Sequence, residues 1–215
     1  MPNGKYDNHE KLQTVETTLG LLNAVEAEGS HSQRNLASGL GVALGLTNAL
    51  IKRCIKKGLL KVREAPARRY AYYLTPKGFK EKSRLTAEYL TVSLDFFRHA
   101  RSEYAEAIEY CARRDWTSVV LYGAGELAEI AVLAAGERGV ALKAVVDKGR
   151  NEDGFHGIPV VQNIEDLLGD GVDAVIVTST SAPQEAFNLL KSILPVDRII
   201  TPSLLHVSRG NGGTK

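Results

Sequence analysis

The chain has 215 residues, of which 44% are hydrophobic and 24% charged, a balance typical of globular proteins with buried cores. No apolar run is long enough to span a membrane, and the first residues, MPNGKYDNHEKLQ, lack the apolar core of a signal peptide. These features argue against a membrane protein and against export, so we expect a cytoplasmic location and no membrane partner.

The net charge of +2 is distributed unevenly along the chain. Residues 30–85 carry 13 Lys and Arg against 2 Asp and Glu, a local net charge of +11, whereas residues 117–215 carry 8 against 12. A local excess of this size attracts polyanions. The first half therefore predicts double-stranded DNA as a partner, and a solvated basic face is the alternative.

Helical spacing of apolar residues predicts a first helix from Lys11 to Glu28. A short helix from Gln33 to Leu40 stops at Gly41, and a third helix runs from Ala43 to Lys57 before Gly58. This order is typical of a helix-turn-helix, in which the last helix enters the major groove of DNA.

Small and polar residues near the start of the third helix are of the types that contact base edges. Basic residues further along are expected to contact phosphates. Leu46, Leu50 and Ile51 are expected in the core by their spacing. An ordinary solvated helix face is the alternative for Thr47 and Asn48. The predicted DNA-contacting residues, with those before the second helix and in the following hairpin, are Ser32, Gln33, Arg34, Leu44, Thr47, Asn48, Lys52, Arg53, Lys56, Arg68 and Arg69.

Two strands follow, from Leu59 to Arg63 and from Tyr70 to Leu74, and the loop between them is the predicted wing. Arg68 and Arg69 at its tip suit the minor groove or flanking phosphates.

Thr75 as N-cap and Pro76 at the first helical position begin a helix that continues to about Arg114. Its apolar residues alternate spacings of four and three, which predicts a dimer contact through a coiled-coil seam. Packing on the chain's own second domain is the alternative. The seam residues are Leu90, Leu94, Phe97, Arg101, Tyr104, Ile108 and Cys111.

The segment SQRNLASGLGVALGLTNALIKRCIKKGLLK, followed by YAYYLTPKGFKEKSRLTAEYL, resembles MarR-like regulators associated with exopolysaccharide gene clusters. The resemblance covers about residues 14–110, and the segment beginning YLTPKGFKEK is its most specific part. It implies a winged-helix fold and sequence-specific DNA binding, usually as a dimer.

The second half alternates strands with helices and contains solid apolar runs, which predicts a buried, Rossmann-like parallel sheet. The predicted strands are Ser118–Tyr122, Ala141–Val146, Ile158–Val161, Val172–Thr178 and Arg198–Ile200. The predicted helices are Glu126–Gly139, Ile164–Leu168 and Ala182–Leu194.

A G-x-G-x-x-A motif stands between the first of these strands and its helix. Gly123 permits a tight turn, Gly125 lets the backbone approach a phosphate, and Ala128 allows close helix packing. Asp147 ends the next strand, 22 residues after Gly125, where an acidic residue holds ribose hydroxyls. The motif predicts a nucleotide-type ligand.

Glu126 opposes this prediction, because a carboxylate at the helix start repels an anion. Lys148 and Arg150 either compensate for it or are ordinary surface residues. A Rossmann-like unit that is purely structural therefore stays open as an alternative.

The segment from YGAGELAEIAVLA to VDAVIVTSTSAPQEAFNLL resembles the Rossmann-like domain that precedes nucleoside-diphosphate-sugar epimerases, and related CoA-binding domains. The resemblance spans about residues 118–202 and implies an NAD-like or nucleotide-sugar ligand. Together with the motif, it gives as expected ligand-binding residues Gly123, Ala124, Gly125, Glu126, Leu127, Asp147, Lys148, Thr178 and Ser179.

Catalytic residues are hard to find. Short-chain epimerases and dehydrogenases use a Tyr-x-x-x-Lys pair, and no Tyr follows Tyr122. His156 stands alone in a loop, and Cys54 and Cys111 lack metal-ligand spacing and are expected to be buried. We therefore expect no enzyme activity, no metal and no required cofactor.

The sequence predicts an α/β protein with a winged helix-turn-helix at 8–78, a dimerisation helix at 79–115 and a Rossmann-like ligand-binding domain at 116–207. The expected function is DNA-dependent regulation, of exopolysaccharide genes by resemblance, in response to a nucleotide sugar or NAD(H). An NAD(H)-sensing redox repressor is a close alternative, and a nucleotide-sugar enzyme is disfavoured.

Overall fold

A computed structural model of the protein describes residues 4–27, 33–65, 69–150, 154–169 and 171–210. The chain divides into two compact units, Met1–Asp95 and Phe96–Lys215. The division falls inside one long helix, whose halves belong to different units. The finer limits expected from the sequence, 8–78, 79–115 and 116–207, stay a prediction. No described helix is long and apolar enough to cross a bilayer.

The N-terminal unit is a winged helix-turn-helix, as predicted. Apolar side chains from every element meet in its core, among them Leu22, Leu36, Ile51 and Tyr72. Its elements are α1 (Gly4–Ala27), α2 (Gln33–Leu40), α3 (Leu44–Lys56), β1 (Leu60–Ala65), β2 (Arg69–Leu74) and the start of α4 (Pro76–Ala112).

The Thr-Pro-Lys-Gly segment forms the turn before α4, and the contacts of this turn account for its threonine and its glycine. Thr75 Oγ1 accepts the Gly78 N–H at 3.0 Å as an N-cap and donates to the Gly58 carbonyl at 2.7 Å. A Cβ on Gly78 would lie 2.1 Å from the Leu59 carbonyl oxygen, so only glycine fits there. The segment thereby fixes α4 against the start of the wing.

The seam predicted along α4 divides into two parts. Tyr104, Ile108 and Cys111 are fully buried in the core of the C-terminal unit, which corresponds to the alternative of packing on the chain's own second domain. Leu90 and Leu94 are each 53% exposed. A single continuous dimer seam down the whole helix is therefore wrong, because the sheet already covers its second half.

The C-terminal unit is a doubly wound, five-stranded parallel sheet with strand order β5-β4-β3-β6-β7. Every strand and helix predicted for this half is present, with ends shifted by a few residues. The elements are β3 (Val119–Tyr122), α5 (Glu126–Glu137), β4 (Leu142–Val146), β5 (Val160–Val161), α6 (Glu165–Leu168), β6 (Ala174–Val177), α7 (Pro183–Lys191) and β7 (Ile199–Ile200).

Alternate side chains of the buried strands point to opposite faces of the sheet. Val119 and Leu121 pack with α5 and the second half of α4, whereas Val120 packs with α6 and α7. The second half of α4 therefore supplies one of the covering helices of this unit. The sheet order reverses between β3 and β6, so a crevice is expected at the carboxyl ends of these two strands.

Candidate functional site: the third helix and a crevice

The exposed face of α3 combines small residues with cations. Gly45 and Ala49 are exposed, and Lys52, Arg53 and Lys56 continue the exposed side toward the helix end. The small side chains permit close approach by a partner, and the exposed cations can pair with anionic groups.

The phase of α3 differs from the prediction at two positions. Leu46 was expected in the core, but it is 56% exposed. Thr47 was expected to contact a base, but it is fully buried and its hydroxyl donates to the Ala43 carbonyl at 3.3 Å. The reason is that Thr47, with Leu50 and Ile51, faces the core of the unit.

Asn48 lies on the flank of the exposed face and is half-buried. Its Oδ1 is buried and finds no hydrogen-bond partner in the described part of the chain. Leu44, at the start of the helix, is 41% exposed.

The other predicted DNA contacts lie before α3 and in the wing. Gln33 Nε2 donates to the Tyr72 hydroxyl at 3.0 Å, which ties the start of α2 to the second wing strand, and Arg34 is exposed. Ser32 and Arg68 fall outside the described residues, and Arg69 is described only as part of strand β2.

A crevice of 450 Å³ opens at the carboxyl ends of the C-terminal strands, as the strand order predicts. Of the expected ligand-binding residues, it is lined by Gly123, Asp147, Lys148 and Ser179. The remaining lining residues come mainly from the strand ends and from α7, and they are Tyr122, Val146, Gly149, Ser181, Ala182, Glu185, Ala186 and Leu189.

The contribution of α7 was missed at the sequence level. Ser181 and Glu185 add a hydroxyl and a carboxylate to one wall. The available signal was Pro183, which marks the first turn of a helix directly after the strand that ends at the switch point.

The glycine loop is held by the side chain of Asp147, which follows the neighbouring strand β4. Asp147 Oδ2 accepts the Ala124 N–H and Oδ1 accepts the Gly149 N–H, both at 2.8 Å. The carboxylate therefore holds the loop and the strand end together while it faces the crevice.

Five expected ligand residues do not line the crevice: Ala124, Gly125, Glu126, Leu127 and Thr178. Thr178 is fully buried, and its hydroxyl donates to the Gly123 carbonyl at 2.6 Å, so it links the ends of β3 and β6 instead. Gly125 caps α5 with φ −100°, beside open space.

The crevice carries both signs of charge, because Asp147 and Glu185 line it together with Lys148. Burial raises the pKa of Tyr122, and the nearby Glu165 and Asp147 carboxylates raise it further, so this phenol stays protonated at neutral pH. Arg150 Nη1 donates to the Ala124 carbonyl at 3.4 Å, and its guanidinium lies 4.9 Å from the Phe155 ring centre. Among the described residues, no group of His, Cys, Asp and Glu is arranged to hold a metal ion.

Residues 16–61 match the family model described as winged helix-turn-helix DNA-binding. The match runs from α1 to the start of β1 and includes the whole of α3. A search of curated proteins finds no match to this chain.

Several solved structures are similar to parts of the chain. The PcaV transcriptional regulator from Streptomyces coelicolor, in complex with its natural ligand, is 25% identical over 38% of this chain, with a TM-score of 0.36. The alignment spans 59% of the PcaV chain. MepR, a transcription regulator of the Staphylococcus aureus multidrug efflux pump MepA, is 17% identical over 43% of this chain and 77% of its own, with a TM-score of 0.35.

Human N-acetylserotonin methyltransferase, in complex with SAM, is 13% identical over 82% of this chain and 71% of its own, with a TM-score of 0.34. All three TM-scores are too low to establish a common fold. The family match, together with the geometry of α2, α3 and the hairpin, assigns a winged helix-turn-helix of the DNA-binding kind to the N-terminal unit.

Proposed function

We propose that this protein is a DNA-binding transcription regulator whose C-terminal unit senses a small nucleotide-type ligand. The observation that carries the DNA-binding part is the exposed face of α3, where Gly45 and Ala49 stand beside Lys52 and Lys56. In this proposal α3 enters the major groove, Asn48 reads a base, and the lysines with Arg53 contact phosphates.

The experiment for this part begins with selection of duplexes from a random DNA library by the full-length protein. A selected duplex and a scrambled one are then titrated at several salt concentrations. Lys52→Ala is expected to weaken binding to both and to lower the slope of log affinity against log salt by about 0.9. Lys191→Ala, which removes an exposed lysine at the end of α7, is the matched control.

Asn48→Ala is expected to change sequence preference instead, at a cost of about 1–3 kcal/mol for the base it reads. Arg68→Ala is expected to behave like Lys52→Ala. Failure to enrich any sequence would contradict specific DNA binding, and a loss of specificity alone in Arg68→Ala would contradict its assignment to phosphates.

The sensing part of the proposal rests on the crevice at the switch point. Asp147, Ser179 and Ser181 offer oxygen partners to ribose or sugar hydroxyls, and Val146 and Leu189 give an apolar surface for a base. A nucleotide sugar or a dinucleotide such as NAD(H) has both parts. The resemblance to exopolysaccharide-associated regulators favours the nucleotide sugar, and exopolysaccharide genes as the target.

A thermal-shift panel of NAD, NADH, NADP, CoA and UDP-glucose tests this proposal. A ligand at 100 times its Kd is expected to stabilise the protein by about 2.7 kcal/mol. In this proposal the ligand's phosphates extend from the crevice to the start of α5, so a side chain at its N-cap would block them. Gly125→Val should therefore abolish the shift while preserving the fold, because a Cβ there meets no protein atom within 4 Å. Gly136→Val, at an equally open position on α5, is the control. Preference for NADH over NAD would favour the redox-sensing alternative.

A second candidate is a purely structural C-terminal unit, and the Asp147 contacts favour it. The carboxylate already accepts the N–H groups of Ala124 and Gly149, so the loop is complete without a ligand. No thermal shift across the panel, with unchanged regulation in Gly125→Val, would support this candidate over the sensor.

We also propose that the protein acts as a homodimer through the first part of the predicted seam on α4. Leu90 and Leu94 are each 53% exposed and Phe97 is 38% exposed, and their spacings of four and three residues place them on one face of the helix. Contiguous exposed apolar side chains of this size mark an interaction surface. A dimer would also place two copies of α3 on one DNA site.

A further inference from the structure

Tyr104, in the second half of α4, makes a hydrogen bond that the packing of its ring does not require. The side chain is fully buried, and its hydroxyl donates to the Val177 carbonyl at 3.0 Å. A phenylalanine would fill nearly the same volume without needing a hydrogen-bond partner. The link joins α4 to the last residue of β6.

The two residues that follow β6 are hydrogen-bonded to residues that line the crevice. Thr178 Oγ1 donates to the Gly123 carbonyl, and the Ser179 N–H donates to the Tyr122 carbonyl. A Cβ on Gly123 would lie 2.7 Å from Ser179 Cα, so the two backbones touch. A ligand that displaces Ser179 therefore also displaces Val177, whose carbonyl holds Tyr104.

The second half of α4 is also held at its flanks. Arg101 forms an ion pair with Glu137 on α5, and Glu103 accepts the Ser203 hydroxyl at 2.6 Å and the Leu204 N–H at 3.0 Å. None of the three partners, Glu137, Ser203 and Leu204, lines the crevice. Tyr104, by contrast, reaches the strand whose end forms the crevice wall.

The start of the same helix is hydrogen-bonded to the two residues that follow α3. Thr75, its N-cap, donates to the Gly58 carbonyl, and Lys77 Nζ donates to the Lys57 carbonyl at 2.9 Å. The single helix α4, Pro76–Ala112, contains both Lys77 and Tyr104 without a break. An unbroken helix can carry a displacement along its length.

We propose that Tyr104 is a positioning residue that couples the crevice to α4, so that ligand occupancy changes DNA affinity through its bond to the Val177 carbonyl. This inference rests on the proposed sensing function and names the residue through which it acts. Coupling between two binding sites is typically about 5- to 150-fold in affinity.

The test is the DNA affinity of the full-length protein with and without UDP-glucose, repeated with NADH. Wild type is expected to show a ligand-dependent change within the typical range. Tyr104→Phe is expected to keep ligand affinity and ligand-free DNA affinity but to lose most of that change. Tyr110→Phe, on the same helix with its ring against Trp116, is the matched control and should respond like wild type.

A ligand response that survives in Tyr104→Phe overturns the coupling role alone. A wild type that binds DNA but responds to neither probe overturns the sensing function and the coupling with it. Amide hydrogen exchange on wild type gives a readout without any variant: ligand should change protection in residues 98–108 of α4. Ligand binding without any change there would also overturn the coupling.

Discussion

Gly123 and Gly125 stand two residues apart in one motif, yet their environments differ. Gly123 has φ +109°, and a Cβ there would lie 2.7 Å from the Ser179 backbone nitrogen. Gly125 has φ −100°, and a Cβ there would meet no atom within 4 Å. Gly123 is therefore required by the fold, whereas Gly125 is available for a role in ligand approach.

We expect Gly123→Ala to lower the free energy of unfolding of the C-terminal unit by about 2–4 kcal/mol, because it combines strain at positive φ with a backbone clash. Gly125→Ala should change it by less than about 0.5 kcal/mol. Urea unfolding followed by circular dichroism measures both. Equal effects of the two substitutions would show that the contact with Ser179 does not constrain the loop.

The two cysteines, Cys54 and Cys111, are both free and buried, as the sequence predicts. Burial is the main cause that raises the pKa of the Cys111 thiol, from 9.0 to about 11, and it raises the pKa of Cys54 as well. Both thiols are therefore protonated at neutral pH, and the thiolate is the reactive form.

We expect neither thiol to react with a thiol reagent at pH 8 in the native protein, and both to react after unfolding. The stability that Cys111 contributes should be complete below pH 9 and lost as the pH rises toward 11, because only the folded state favours the protonated form. Cys111→Ala should remove that loss. Rapid labelling of a native thiol would contradict the burial.

At the scale of elements, α4 shows how one helix serves two cores. Its first part contributes Leu85 to the winged-helix core, and its second part contributes Tyr104 and Ile108 to the core of the C-terminal unit. One heptad-like spacing predicted a single interface along the whole helix. Spacing alone cannot tell which surface covers an apolar stripe, so the two partners had to be distinguished by the tertiary structure.

The N-cap of α4 gives a prediction at this scale. Thr75→Ala removes the acceptor for the Gly78 N–H and the donor to the Gly58 carbonyl, and should cost about 1–2 kcal/mol. Thr75→Ser keeps both bonds and should stay close to wild type. The midpoints of urea unfolding of both variants measure these changes in stability. An unchanged midpoint for Thr75→Ala would show that the cap contributes little.

At the scale of the whole molecule, the basic residues collect in the segment that includes α3 and the wing, and the acidic excess lies beyond residue 117. In the proposed function, this segregation steers the N-terminal unit toward DNA. In the proposed dimer, the exposed side chains of Leu90, Leu94 and Phe97 form the surface that meets a second copy.

Leu94→Glu is expected to convert the dimer to a monomer, because it places a charge in an apolar contact. Thr91→Glu, an exposed position nearby on the same helix, should leave the dimer intact. Sedimentation velocity of wild type and both variants measures this. A wild-type monomer, or a Leu94→Glu dimer, would contradict the proposed interface.

The sequence by itself determined the order and type of the described α-helices and β-strands, because helical spacing, strand alternation and the positions of glycine and proline are local signals. It also located the crevice, since Gly123 and Asp147 end neighbouring strands whose carboxyl ends must share an edge of the sheet. Only the tertiary structure decided the phase of α3, which buries Thr47 and exposes Leu46, and the covering of the second half of α4 by the sheet. The physical reason is that burial depends on which distant surface an element meets, and no local pattern within that element encodes it.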